Sequence, residues 1–252
     1  MRTRSWIAAA VVALSAMDAR AQPAPKPATA KPLPKAEDVL EQYVKATGGR
    51  AAYEKHQSGV MKAVGSIAAM GVKVEIVNSM KAPNLSLLVL TMEGMGEQRS
   101  GFDGKVAWEQ DAMTGLHELE GIEKARAARE AEFNAELKWR ELYKQVRSVG
   151  LETVNGRSCV QIELVPKEGG RSDMECYDLE TKLLVKAEST TEGDQGTMLM
   201  KMFPVEWKEY DGVKLPSVIR LGMGPVEIEA KVISVEWNVP LDDAIFRKPA
   251  AK

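Results

Sequence analysis

The side chains able to carry acid–base, nucleophilic or metal chemistry are few and scattered. His56 and His117 are the two histidines of the chain, and neither sits in an H-E-x-x-H pattern or near a paired C-x-x-C. No strand–turn–helix segment carries a G-x-S-x-G nucleophile elbow, and no glycine loop has phosphate-binding spacing. Carboxylates alone could do general acid–base work, but no pair stands out from 36 Asp and Glu. The sequence therefore predicts no catalytic residue, no metal ligand and no cofactor. An enzyme would need a cleft where polar groups with perturbed pKa values converge, and nothing in the spacing predicts one.

Cys159 and Cys176 carry more information. They fall on consecutive predicted strands joined through Glu168-Gly169-Gly170, close to equidistant from that turn. A disulfide between them is one reading, and two small buried thiols are the other. Methionine is the compositional oddity, with 11 of the 13 lying beyond residue 21. Met198, Met200 and Met202 alternate along one predicted strand and so share a face. Unbranched, polarizable methionine suits a surface that repacks around different apolar shapes, and it also fills gaps in ordinary cores. The residues expected to line an apolar ligand are Met80, Leu87, Val89, Trp108, Phe133, Met198, Met200 and Met202. Phe102, Trp207 and Trp237, together with Trp108, are expected to anchor the core.

The elements that must position these residues are mostly strands. Short alternating runs recur from Val60–Met70 through Val72–Lys81, Leu85–Met92, Gln98–Phe102 and Val106–Asp111, with a further turn at Thr114-Gly115 before Leu116–Leu119. They resume at Val146–Val154, Cys159–Val165, Asp173–Asp178, Leu183–Thr190, Met198–Tyr210, Val213–Leu221 and Val226–Trp237. Asp103-Gly104, Asn155-Gly156, Asp211-Gly212 and Gly224-Pro225 are hairpin or turn signals. Tight turns between sequential runs imply an antiparallel meander of about eleven strands, too many for a small flat sheet. Ala36–Thr47 has the three- and four-residue apolar spacing of a helix, closed by Gly48-Gly49, with one further turn at Ala51–His56. Gly121–Gln145 changes to a helical period among dense charges, with Asn134 as a break between two helices.

Residues 1–21 have the form of a signal peptide: Arg2 and Arg4, then the apolar run Trp6–Met17, then the small-x-small site Ala19-Arg20-Ala21. Removing them takes three Arg and one Asp, so the formal charge of −2 becomes −4. That balance gives no support for nucleic-acid binding. Residues 22–35 carry five prolines and read as an extended linker. Residues 36–252 are long enough for a single domain, and no later apolar run is long enough to span a membrane.

Several of these turns are familiar in their order. Ala46-Thr47-Gly48-Gly49, Gly101-Phe102-Asp103-Gly104-Lys105-Val106-Ala107-Trp108, Tyr177-Asp178-Leu179-Glu180-Thr181-Lys182-Leu183-Leu184 and Tyr210-Asp211-Gly212-Val213-Lys214-Leu215-Pro216 give a chain that resembles the bacterial outer-membrane lipoprotein-sorting, or LolA-like, family, as a divergent branch. The resemblance spans most of residues 37–247. It implies an α+β fold: an unclosed antiparallel β-barrel with helices over its concave face, and an apolar ligand such as a lipid or lipoprotein acyl chain held in that space. The motifs are turn chemistry, so no ligand-handling residue is carried over. The expected function is a soluble exported carrier, periplasmic if the source is Gram-negative. The alternative is a cell-envelope interaction module with a filled core, which would contact an envelope protein partner instead.

Overall fold

The structure, a computed structural model, describes residues 32–67, 69–193, 196–224 and 226–250. The expected signal peptide, and all but the last few residues of the proline-rich linker, lie outside the described residues. Contacts group Leu33–Lys252 as one compact unit.

Thirteen antiparallel strands form a single sheet in the order β6-β5-β4-β3-β2-β1-β13-β12-β11-β10-β9-β8-β7. They are β1 Ser58–Ile67, β2 Val72–Lys81, β3 Leu85–Met92, β4 Gly96–Asp103, β5 Ala107–Asp111, β6 Gly115–Leu119, β7 Tyr143–Val154, β8 Arg157–Pro166, β9 Asp173–Asp178, β10 Leu184–Gly193, β11 Gly196–Tyr210, β12 Val213–Met223 and β13 Val226–Trp237. All neighbours are consecutive in sequence except β1 and β13, which pair to join two meanders. The sheet is not closed, because β6 and β7 end it unpaired with each other. The chain between those two edges forms the helix α3 Gly121–Glu130, a 3-10 turn at Ala135–Leu137 and the short helix α4 Trp139–Leu142. Register shifts in β1/β13, β7/β8, β9/β10 and β11/β12 mark bulges, and bulges bend the strands that contain them.

Two expectations change. The sheet has thirteen strands instead of about eleven, with the segment after the Thr114-Gly115 turn pairing as a strand of its own, β6. The helical stretch expected to run to Gln145 stops at Leu142. Tyr143 and Gln145 instead pair with Pro166 and Val165 of β8, so a long-range ladder overrides a local helical pattern. The break at Asn134 is present: its φ of 56° is left-handed, and it starts the 3-10 turn that follows α3 after a short gap.

One face of the sheet, called inner here, carries the helices. The helix α1 Ala36–Ala46 buries Ala36, Val39 and Leu40 against Val160, Ile162, Leu164, Tyr177 and Leu184, with Trp139 of α4 beside them. Glu37 and Asp38 in its first turn suit the positive end of the helix dipole. Its far end is fixed by Gly48, whose φ is +129° and where a Cβ would stand 2.2 Å from the Gly212 carbonyl oxygen. The Lys214 N–H donates to the Thr47 carbonyl there. Two of the family-like segments, Ala46–Gly49 and Tyr210–Pro216, therefore meet in space. The helix α2 Arg50–Glu54 follows, with Ala52 and Tyr53 packed on Val213. His56 is buried, stacked on Trp237 at 4.4 Å between ring centroids. His117 is exposed on β6.

The other two familiar segments are turn clamps. Asp103 Oδ1 accepts from the Lys105 and Val106 N–H groups, and Asp178 Oδ1 accepts from those of Glu180 and Thr181. Gly101 lies under the Trp108 indole, where a Cβ would come within 2.5 Å of the ring. Trp108 Nε1 donates to the Phe246 carbonyl, so a 3-10 turn at Asp243–Phe246 is pinned to the outer face of β3–β5. Cys159 and Cys176 are joined by a disulfide with Cα atoms 5.5 Å apart. They sit diagonally, since Cys159 faces Asp178 and Cys176 faces Gln161. The bond lies on the outer face, among Val154, Val185 and Phe203.

Candidate ligand cavity

A cavity of about 570 Å³ opens between the inner face of β8–β12 and the helical segments. Strand alternation builds its floor: Leu164 of β8, Tyr177 of β9, Ala187 of β10, Met200 and Met202 of β11, and Ile219 and Leu221 of β12. The register aligns them, with Ala187 opposite Met202 and Met202 opposite Leu221. Leu40 and Tyr43 of α1, with Ala135, Trp139 and Leu142, form the roof. Most of this surface is apolar, and its volume lies in the range of about 300–1,000 Å³ typical of small-ligand sites. The Tyr43 ring packs at 5.1 Å from Tyr177 and 6.3 Å from Trp207, which fixes one wall.

A polar cluster interrupts that wall. Asp173, Glu175 and Tyr177 alternate on the inner face of β9, and Arg129 reaches them from α3. Arg129 Nη2 donates to Asp173 Oδ2 at 3.4 Å, and its guanidinium lies 5.9 Å from the Tyr143 ring centre. Arg129 Nη1 is buried without a hydrogen-bond partner. Tyr177 Oη donates to Glu175 Oε2. Burial pushes Glu175 up to about 7, with the Asp173 and Glu136 charges adding and the Tyr177 hydroxyl opposing. Burial also raises Asp173 and Glu136, with Arg129 acting against the rise at Asp173. Desolvation of the charged form is the shared cause.

The residues expected to line a ligand separate in the structure. Met200 and Met202 line the large cavity. Met198, on the same face, is half exposed toward the β10–β11 turn. Met80 borders a smaller pocket of about 190 Å³ between β2–β6 and α3, together with Asn78, Ser86 and Leu88. Leu87 and Val89 alternate with Ser86 and Leu88 and so occupy the outer face. Trp108 touches the small pocket from the strand it shares with Glu109, but its ring is buried against Gly101 on the outer side. Phe133 is buried below α3, its N–H donating to the Pro83 carbonyl.

Sequence reasoning missed Arg129, Asp173, Glu175 and Tyr43. One signal was available for the carboxylates: in Asp173-Met174-Glu175-Cys176-Tyr177 they share parity with an aromatic, which is odd for a solvent face. Among the described residues no group of three or more His, Cys, Asp or Glu side chains is placed to hold a metal, and no helix is long and apolar enough to cross a membrane.

No family model and no curated protein matches the chain. Solved structures do. A LolA superfamily protein from Nitrosomonas europaea superposes with a TM-score of 0.56 at 13% identity, covering 86% of this chain and 99% of that one. A domain assigned as an outer membrane lipoprotein-sorting protein from Vibrio parahaemolyticus and a DUF1329 family protein from Desulfovibrio piger each give 0.55 at 13% identity, covering 84% of this chain and 97% of theirs. At such identity the likeness is one of fold. The chain shares with these LolA-like structures an unclosed, curved antiparallel sheet with helices on one face.

Proposed function

We propose that this chain is an exported carrier that holds the apolar part of an amphiphile, non-covalently, in the cavity between β8–β12 and the helices. The cavity of about 570 Å³ with its largely apolar wall is the observation that carries the reading, and the LolA-like fold agrees with it. Burying roughly 300 Å² of acyl chain at ~25 cal/mol per Å² gains on the order of 7 kcal/mol before ordering costs. That suffices for binding without a single directed contact. The half-buried Met200 and Met202 adapt the floor to chains of different shape. Residues 1–21 would direct export, the following proline-rich segment would tether the domain from residue 36 onward, and the mature protein would work in the cell envelope.

The test is native mass spectrometry of protein purified from its envelope fraction, with displacement of a fluorescent fatty acid as the second readout. Met200→Trp should fill part of the cavity, weaken dye binding by tenfold or more and leave thermal unfolding within a few degrees of the parent. No co-purified lipid, no dye binding by the parent, and an overpacking loss of ~1–3 kcal/mol in Met200→Trp would favour a filled-core interaction module.

A further inference from the structure

Arg129 is the least explained group in the cavity. Its side chain is only 10% exposed, yet Nη1 has no hydrogen-bond partner. A buried donor left unmade costs about 1–3 kcal/mol, more when charged. Arg129 lines the cavity and also interacts with the Tyr143 hydroxyl. Nη1 itself has almost no exposed surface, so a small turn of the guanidinium toward the cavity would let a bound molecule supply the acceptor that the described residues do not.

The surroundings restrict that acceptor. Arg129 already faces Asp173 through Nη2, and Glu130, Glu136 and Glu175 stand on the same wall. The one other cation on the lining, Lys201, lies 3.4 Å from Glu188. A second full negative charge beside Arg129 would meet more carboxylates than cations. A neutral carbonyl would not, and hydroxyl groups attached near it would find acceptors in those same carboxylates. The apolar floor of Met200, Met202 and Leu221 then takes the chain. A free fatty-acid anion satisfies Nη1 as well, but at the cost of like-charge repulsion in a site of low dielectric.

We propose that the cavity selects acyl esters with an uncharged, hydroxyl-bearing head over free fatty-acid anions, with Arg129 Nη1 donating to the ester carbonyl. This rests on the carrier reading and names the ligand class for it.

The experiment displaces a fluorescent acyl probe from the mature protein with 1-monooleoylglycerol and, separately, with oleate, at pH 8. The ester should displace at a concentration at least tenfold lower. The double variant Arg129→Met/Asp173→Asn removes the donor while leaving the net charge of the cavity unchanged. It should weaken the ester about tenfold and change oleate by less than about threefold. If that variant does not fold, Arg129→Lys keeps the charge but loses the second guanidinium nitrogen, and should weaken the ester in the same direction. Oleate binding as tightly as the ester, or ester affinity unchanged in a folded variant, overturns the selectivity while leaving the carrier intact. Failure of the parent to bind the probe or either lipid overturns both.

Discussion

The two meanders of the sheet differ in what they place on the inner face. In β7–β13 the inner face is apolar, with Val160, Ile162 and Leu164 under α1 and a cavity of about 570 Å³ beyond them. In β2–β5 the inner positions include Asn78, Ser86, Ser100 and Glu109, the enclosed pocket is about 190 Å³, and α3 offers mainly Ala127, Ala128 and Ala131 to Phe102, Ala107 and Leu119. That half is anchored from outside as well, where the Trp108 indole and Phe246 are buried. One half can spare inner surface for a ligand because a disulfide, a helix and the apolar residues of β8, β11 and β12 hold it together. The other closes its inner face with the α3 alanines on Phe102, Ala107 and Leu119, adds an anchor on its outer face, and has little inner space to offer.

The contrast breaks most visibly at Trp108. Trp108→Ala should cost ~3–5 kcal/mol in chemical denaturation and release the C-terminal 3-10 turn, seen as faster amide exchange around Phe246, while dye binding in the folded fraction stays near parental. Loss of dye binding in step with the turn would show the two halves to be one unit.

Reduction of the Cys159–Cys176 bond, which spans 17 residues, should cost about 3 kcal/mol through the freer unfolded chain. Because that bond lies on the outer face of the cavity half, its loss should lower the melting temperature without changing ligand affinity. A changed affinity would mean that the floor depends on the clamp behind it.

A smaller effect is expected at Glu175. Its folded pKa of about 7 lies above the ordinary carboxylate value of 4.5, so the folded state binds the extra proton. Stability from this group is present below pH ~4.5 and lost as pH rises through ~7. Because Glu175 faces a cavity and is not sealed in, a loss of about 1–2 kcal/mol is expected, less than the full shift implies. Glu175→Gln should flatten the stability profile between those limits and be the more stable protein at pH 8. An unchanged slope would place the carboxylate in contact with bulk water. Smallest of all should be Ser100→Ala, within ~0.5 kcal/mol, since Ser100 borders the small pocket and lies outside the packed cluster of Phe102, Ala107 and Leu119.

Local chemistry made much of the ladder legible. Asp103-Gly104 stops its strand through the Asp103 carboxylate, Asn155-Gly156 and Asp211-Gly212 stop theirs through two successive left-handed residues, and Gly48-Gly49 closes α1 where only glycine fits the backbone. The Cys159–Cys176 pairing was open in the sequence because the register of β8 on β9 was open. The inward face of β3 was illegible for another reason. Leu87, Leu88, Val89 and Leu90 are apolar in succession, so alternation cannot say which pair points in. The ligand-lining expectation took Leu87 and Val89, and the sheet placed Leu88 on the inside instead.

From sequence alone came the antiparallel meander, the helical interruption after β6 and the absence of any recognisable catalytic motif, because turn geometry and side-chain period act over a few residues. Tertiary structure decided the rest. The unpaired edges at β6 and β7, the cavity between floor and helices, and the meeting of Arg129 with Asp173, 44 residues apart, depend on how far thirteen strands, some of them bulged, curl before the chain crosses back. Curvature accumulates from small twists at every ladder, and no single residue encodes its sum.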